Sequence, residues 1–180
     1  MPMNADSRSV AIPKACACLV DARGRLLVFR HPEDGNMQLP KGTIEPGEAP
    51  EVAVRRELLE ESGIDHRGPL QSLGTLDREC EAGVEGNTHR HPQLWHLFLM
   101  RAESPLPESF THTATGSPEE EGLVFLFSWL EAGDALDDFA LPYRQTIEQF
   151  QLGMGSALSV LLFLSVLLVA FLIVKLFRVD

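Results

Sequence analysis

The chain is short of positive charge. Its 15 Lys and Arg stand against 26 Asp and Glu over 180 residues, a formal net charge of −11 and a pI near 4.9. A surface that grips nucleic acid neutralises phosphates with a basic face, so no nucleic-acid partner is expected. Cysteine is scarce as well. The count of three is odd, and Cys16 and Cys18, two apart in a strand-like stretch, read as small buried residues on one face and not as a metal pair. Free thiols point to a reducing compartment. Residues 1–13 have no apolar core of the signal-peptide kind, and the chain has no internal repeat.

One stretch lacks charge altogether. Ser156 to Val174 is almost wholly Leu, Val, Phe, Ala and Ile. At about 1.5 Å per residue a helix of this length spans roughly 29 Å. That is close to the roughly 30 Å of bilayer hydrocarbon. It is apolar all round, so it is not an amphipathic surface helix, and a small domain has no room to enclose it. The expectation is a transmembrane helix over 156–174, a hinge at Gly153 and Gly155, and a short tail over 175–180. With no N-terminal signal this reads as a single-pass tail anchor with the preceding domain in the cytoplasm. Lys175 and Arg178 after the span favour the opposite orientation under the positive-inside rule.

What is abundant is glutamate, and its spacing matters more than its number. Within GTIEPGEAPEVAVRRELLEESGI, Gly42 to Ile64, the residues Glu57, Glu60 and Glu61 fall within two turns of one predicted helix. At about 100° per residue they occupy one sector roughly 100° wide. Like charges so close raise one another's pKa unless a counter-ion holds them ionised. Arg56 supplies part of that charge. A hard divalent cation with oxygen ligands supplies the rest, and Mg²⁺ is the usual one beside phosphates. Pro50 suits the first helical turn and Gly63 a left-handed helix end. Val54 and Leu58 flank the acidic sector, and Val52 and Leu59 lie roughly opposite, which predicts a helix wedged between two layers. Gly42, Pro46 and Gly47 make a turn-rich loop able to bring carbonyls near an ion.

The full pattern is Gly42, Glu48, Arg56-Glu57-Leu58, Glu60-Glu61 and Gly63-Ile64 at fixed spacing. It resembles the Nudix box at every specified position. The resemblance implies an α/β fold, a Nudix-type α/β/α sandwich with a mixed sheet, over 14–152, with 1–13 a loose N-terminus. It implies a pyrophosphohydrolase that uses Mg²⁺ or Mn²⁺ on a nucleoside diphosphate linked to another group. By motif position Glu57, Glu60 and Glu61 look like the metal ligands, and Glu57 or a neighbour such as Glu60 positions the attacking water. Arg56 looks like the group that orients Glu57. Glu48 is similar to the box's first glutamate, a weaker ligand or a helix-orienting group, and the Gly42 carbonyl is a further ligand. Relatives often add a distant glutamate, for which Glu119, Glu120 and Glu121 are candidates, with Glu120 taken for the metal site. Lys41, in an LPKG stretch similar to the diadenosine polyphosphate and diphosphoinositol phosphate branch, is placed to reach a substrate phosphate.

The remaining elements read as strands at 15–20 and 25–30 joined by a turn at 21–24, and further strands at 70–76, 94–101 and 123–129. Helices are predicted over 130–136 and 143–152. The polar stretches 79–93 and 104–121 read as long loops, the first able to cover the site. His89, Arg90, His91, His96 and His112 read as loop and surface residues before phosphate ligands, and Trp95 and Trp129 as core aromatics before base-stacking platforms. Two other functions stay open: hydrolysis of a lipid-linked diphosphate, which the apolar tail motivates, and a binding-only sensor, which the complete set of glutamates disfavours.

Overall fold

A computed structural model of the chain describes residues 10–82, 89–118, 120–148 and 161–168. Two compact units are present, Met1–Pro142 and Tyr143–Asp180. The first unit is built on strand β1, Ile12–Val20, in which every residue from Ala15 to Leu19 is buried. A strand so uniformly apolar and small is covered on both faces, which suits a central position. The turn at 21–24 folds it back into β2, Leu26–Arg30. The short strands β3, Met37–Gln38, and β4, Lys41–Thr43, pair with β2 and β1 respectively.

Helix α1 runs from Pro50 to Ser62. It starts without a side-chain cap but with proline in its first turn. It stops at Gly63, whose left-handed φ of 74° lets its N–H bond the Leu59 carbonyl at 2.8 Å. Two long strands follow, β5, Gln71–Ala82, and β6, His89–Arg101, and then β7, Ser109–Thr113, and β8, Val124–Leu130. The eight-stranded sheet has the order β5-β6-β1-β2-β8-β7. It is mixed, because β1 and β6 run parallel while the other pairs are antiparallel.

Ala53, Val54 and Leu58 press α1 onto Ala15, Ala17 and Leu19 of β1 and onto Phe29, Phe125 and Phe127. Phe29 stacks on Phe125 at 4.4 Å between centroids, and Phe110 on Phe127 at 4.9 Å. This core fixes which side of α1 turns inward and therefore where its glutamates point.

Four expectations need correcting. The two-layer wedge is not formed: Val52 and Leu59 are 57% and 45% exposed, so one apolar stripe packs and the other faces out. The helix predicted over 130–136 is a turn. Gly133 takes φ 95°, and the Asp134 carboxylate accepts the Glu131 N–H at 2.8 Å, a local bond that competes with helix. The loop predicted over 79–93 is largely strand, because β5 and β6 stay paired from Gln71↔Leu99 to Ala82↔His89. Ladder hydrogen bonds need no apolar side chains, so a polar hairpin escapes a hydrophobicity reading. For the same reason β7 emerges from the stretch predicted as loop over 104–121.

A further helical run occupies 141–148, and 161–168 is helical with Arg144 and Glu148 paired at 2.9 Å in the former. No helix among the described residues is long and apolar enough to cross a membrane. Most of the predicted span, 156–160 and 169–174, lies outside the described residues, as do 1–9 and the hinge at Gly153 and Gly155.

The contrast between adjacent leucines is testable. Leu58→Ala should lower unfolding free energy by about 2–5 kcal/mol, as for a buried leucine. Leu59→Ala should stay within about 0.5 kcal/mol. Equal losses in urea titrations would mean that both stripes of α1 are packed.

Candidate active site

Arg56 organises the site. Its Nε and one terminal nitrogen donate to the two Glu48 oxygens at 3.0 and 2.9 Å. Its other terminal nitrogen donates to Glu57 at 2.8 Å and to Glu60 at 3.0 Å. A fifth bond reaches the Thr43 carbonyl at 2.9 Å. One guanidinium thus ties α1 to β4 and to the loop before the helix. That loop is tight: Glu48 accepts the Glu45 N–H at 3.0 Å, and Gly47 takes φ 82°. The hydrogen bonds from Arg56 hold the Glu48 carboxyl below the usual range, and those same bonds raise the Arg56 pKa. Both Glu48 oxygens are engaged by Arg56, and one also by the Glu45 N–H.

Glu57 and Glu61 are buried, and Glu60 is partly exposed. Glu57 lies directly against the Cα of Gly42, where any Cβ would overlap its carboxylate. A larger residue at 42 would have to displace that carboxylate. Burial lifts the Glu57 pKa, opposed by the charge of Arg56. Glu61 accepts the Lys41 backbone N–H at 3.1 Å. Burial, then Glu120 and Glu57, push the Glu61 carboxyl well above the usual range.

Glu120 arrives from the β7–β8 connection. There Thr115 N–H bonds the Glu60 carbonyl at 3.1 Å, and Gly116, at φ 90°, packs on the Glu60 carboxylate, where a Cβ would collide. Glu121 is exposed, and Glu119 lies outside the described residues.

These groups surround one cavity of about 390 Å³ lined by Lys14, Lys41, Gly42, Thr43, Glu45, Arg56, Glu57, Glu60, Gly116, Ser117, Pro118 and Glu120. The box residues, Lys41 and Glu120 are brought together, with Glu61 buried behind them. No histidine lines this cavity among the described residues, and His112 instead packs beside Gly63. Trp95 is fully buried, in line with a core aromatic. Lys14 and Gly116 were not singled out from sequence. Lys14 carries the signal of a lysine just ahead of a buried run; Gly116 carries none beyond its residue type.

The donor set is all oxygen, from four carboxylates and the Gly42 carbonyl, and so suits a hard divalent cation. Among the described residues no three His, Cys, Asp or Glu side chains form a ready-made metal-ligand group, and Glu48, Glu57 and Glu60 are bonded to Arg56 instead.

The sequence pattern of the NUDIX domain matches residues 11–150. The chain belongs to the Nudix family. A MutT-like protein of Streptomyces ambofaciens is 38% identical over 63 residues, covering 35% of this chain and 41% of that protein. The RNA pyrophosphohydrolase of Pseudomonas fluorescens (strain SBW25) is 29% identical over 147 residues, covering 76% of this chain and 89% of that one. Among solved structures, the E. coli dihydroneopterin triphosphate pyrophosphohydrolase superposes with a TM-score of 0.55 at 20% identity over 79% of this chain and 97% of that one. The C. elegans Ap4A hydrolase does so at 0.52 and 16% identity, over 81% and 99%. These likenesses show the Nudix fold with its mixed sheet.

The raised carboxyls have a consequence for stability. Burial raises the pKa of both Glu57 and Glu61, so between the ordinary glutamate pKa and the raised values the folded chain binds protons more tightly than the unfolded chain. The stability they contribute is complete below the ordinary glutamate pKa of about 4.3. It is lost as pH rises through the raised values. Glu61→Gln should therefore raise the Tm of the chelator-treated protein at pH 7.5, with the gain vanishing near pH 4. A gain of the same size at both pH values would show that ionisation is not its cause.

Proposed function

We propose that the protein hydrolyses a diphosphate linkage in a nucleoside diphosphate derivative, a dinucleoside polyphosphate or a similar molecule, with Mg²⁺ or Mn²⁺ at the carboxylate cluster. The observation that carries this reading is one cavity in which Glu57, Glu60 and Glu120 face Lys14 and Lys41, with Arg56 bonded to the first two glutamates. Glu57, Glu60, Glu61, Glu120 and the Gly42 carbonyl would hold the divalent ion. Such an ion, when bound, neutralises phosphate oxygens and acidifies a bound water.

The chain's own residues account for the rest. Glu57, buried at the cavity and bonded by Arg56, is the carboxylate placed to take a proton from the attacking water. Arg56 keeps it aimed into the cavity. The water oxygen forms the new bond to phosphorus, the bridging P–O bond breaks, and the leaving phosphate takes the bonding pair. Lys41 meets charge on the phosphoryl oxygens, so catalysis is chiefly positioning and charge neutralisation. A binding-only role has no use for this alignment. The relatives named RNA pyrophosphohydrolase favour a second reading, an RNA-end diphosphate, which the net charge of −11 places behind the small-molecule one.

We also propose attachment to a membrane through a helix over 156–174. In its described part, Leu161, Leu162, Phe163, Leu164, Val166, Leu167 and Leu168 are 49–65% exposed around one helical run. An uncharged helix with no buried face calls for an apolar surrounding.

Glu57→Gln should lower turnover of the preferred diphosphate by about two orders of magnitude or more, within the range of general-base loss. Its circular dichroism should match the parent. Chelation should abolish the parent's turnover and added Mg²⁺ restore it. Full activity in Glu57→Gln would overturn the site assignment. The full chain should sediment with membranes through a high-salt wash, and Leu164→Arg with Leu168→Arg should release it. Unchanged sedimentation of that double variant would remove the case for insertion.

A further inference from the structure

The cavity is divided by charge. Glu57, Glu60 and Glu120 form one side, and Lys14 and Lys41 another. The two lysines stand on adjacent antiparallel strands, where Lys14 pairs with Thr43 and Cys16 with Lys41. Lys14 is half-buried and donates to the Thr43 hydroxyl at 2.6 Å. Burial and the neighbouring Lys41 push its pKa down, opposed by the charges of Glu57 and Glu120. Two lysines that line one cavity from neighbouring strands can offer a polyanion two charge-assisted contacts.

The walls also indicate what is not gripped. Among the described residues the lining contains no aromatic side chain, and Pro118 is its one sizeable apolar group. The nearest indole, Trp95, is fully buried and lies beneath Lys41, whose Nζ is 5.0 Å from the ring centre. A nucleobase is ordinarily held by stacking on an exposed ring or by paired amides. Neither lines this cavity among the described residues.

We infer that the site selects its substrate by the phosphate chain, with Lys14 and Lys41 together receiving the phosphoryl group next to the scissile one, and that it is indifferent to the base. Lys14 is then a specificity-determining residue, and Thr43 its positioning partner. This rests on the hydrolase reading above for the place of the scissile group, but the recognition it describes can be measured without turnover.

The test is calorimetric binding of the imido analogue of inorganic tripolyphosphate, whose P–N–P links resist hydrolysis, to the full chain in detergent with Mg²⁺. Lys14→Met should weaken binding by about tenfold or more, the loss of one charge-assisted contact. Lys14→Arg should restore it to within about threefold of the parent, a rescue that a structural role would not give. Thr43→Val should shift affinity in the same direction as Lys14→Met, by less. Imido analogues of ATP, GTP and CTP should bind within about threefold of one another. In turnover of the corresponding triphosphates, Lys14→Met should raise KM and leave kcat within a few-fold. Unchanged affinity in both Lys14→Met and Thr43→Val overturns the inference, as does discrimination among bases above about tenfold, or no binding of the chain analogue by the parent. If Lys14-dependent binding is found but no diphosphate is cleaved, the hydrolase reading fails and the recognition stands. If diphosphates are cleaved with no Lys14 dependence, the recognition fails and the hydrolase reading stands.

Discussion

Everything in this site depends on a single guanidinium. Arg56 bonds Glu48 twice, Glu57 and Glu60 once each, and the Thr43 carbonyl. The planar fork of arginine can do this because its donors point in fixed directions; a lysine would hold one carboxylate as a point charge. Three elements converge on Arg56: the strand carrying Lys41 and Gly42, the turn carrying Glu48, and α1. Its role is more than neutralisation. It engages Glu48 on both oxygens, and the acids that line the cavity are Glu45, Glu57, Glu60 and Glu120.

The helix is held against this concentration of charge by apolar packing behind it. Val54 and Leu58 are fully buried under the sheet, while Glu61 lies just off that stripe and is buried with them. A carboxylate there is opposed both by burial and by Glu120 and Glu57, so the site without a cation is electrostatically unfavourable. The core beneath α1 offsets that cost and keeps the carboxylates in place. A cation held there, as proposed, would relieve that repulsion. Gly42 and Gly116 serve the same end. Each gives up a Cβ so that a glutamate can lie flat against backbone, Glu57 on the strand and Glu60 on the β7–β8 connection.

The box was legible because its physics is local. The helix bounds follow from Pro50 and Gly63, the carboxylate sector from helical periodicity, and the pairing of Arg56 with Glu57 from the likeness to the Nudix box. The central strands were legible because 15–19 and 27–29 are buried apolar runs. Legibility failed where pairing is set by distant partners. Residues 79–82 and 89–93 are polar yet belong to a long antiparallel ladder, and 109–113 becomes strand because β8 supplies an edge. The helix expected over 130–136 lost to a turn bond between Glu131 and Asp134. Lys14 was missed for a related reason. Its importance comes from β4 lying beside β1, a contact between residues 29 apart in sequence. The outward stripe of Val52 and Leu59 was misjudged because periodicity gives the angle of a side chain but not the number of layers around it.

An acidic protein that acts on a polyanion needs its attraction to be local. Ionic screening at physiological salt confines charge effects to about 8 Å. The net charge of −11 therefore bears on solubility and on extended polyanions more than on a small substrate already inside the cavity. There the balance is set by Lys14, Lys41 and Arg56 against Glu45, Glu57, Glu60 and Glu120, and one bound divalent ion would tip it toward positive. The same arithmetic separates the two substrate readings. A short phosphate chain meets only the cavity, whereas a long RNA also meets the rest of a chain whose net charge is −11. The proposed preference for a compact anion rests on that difference.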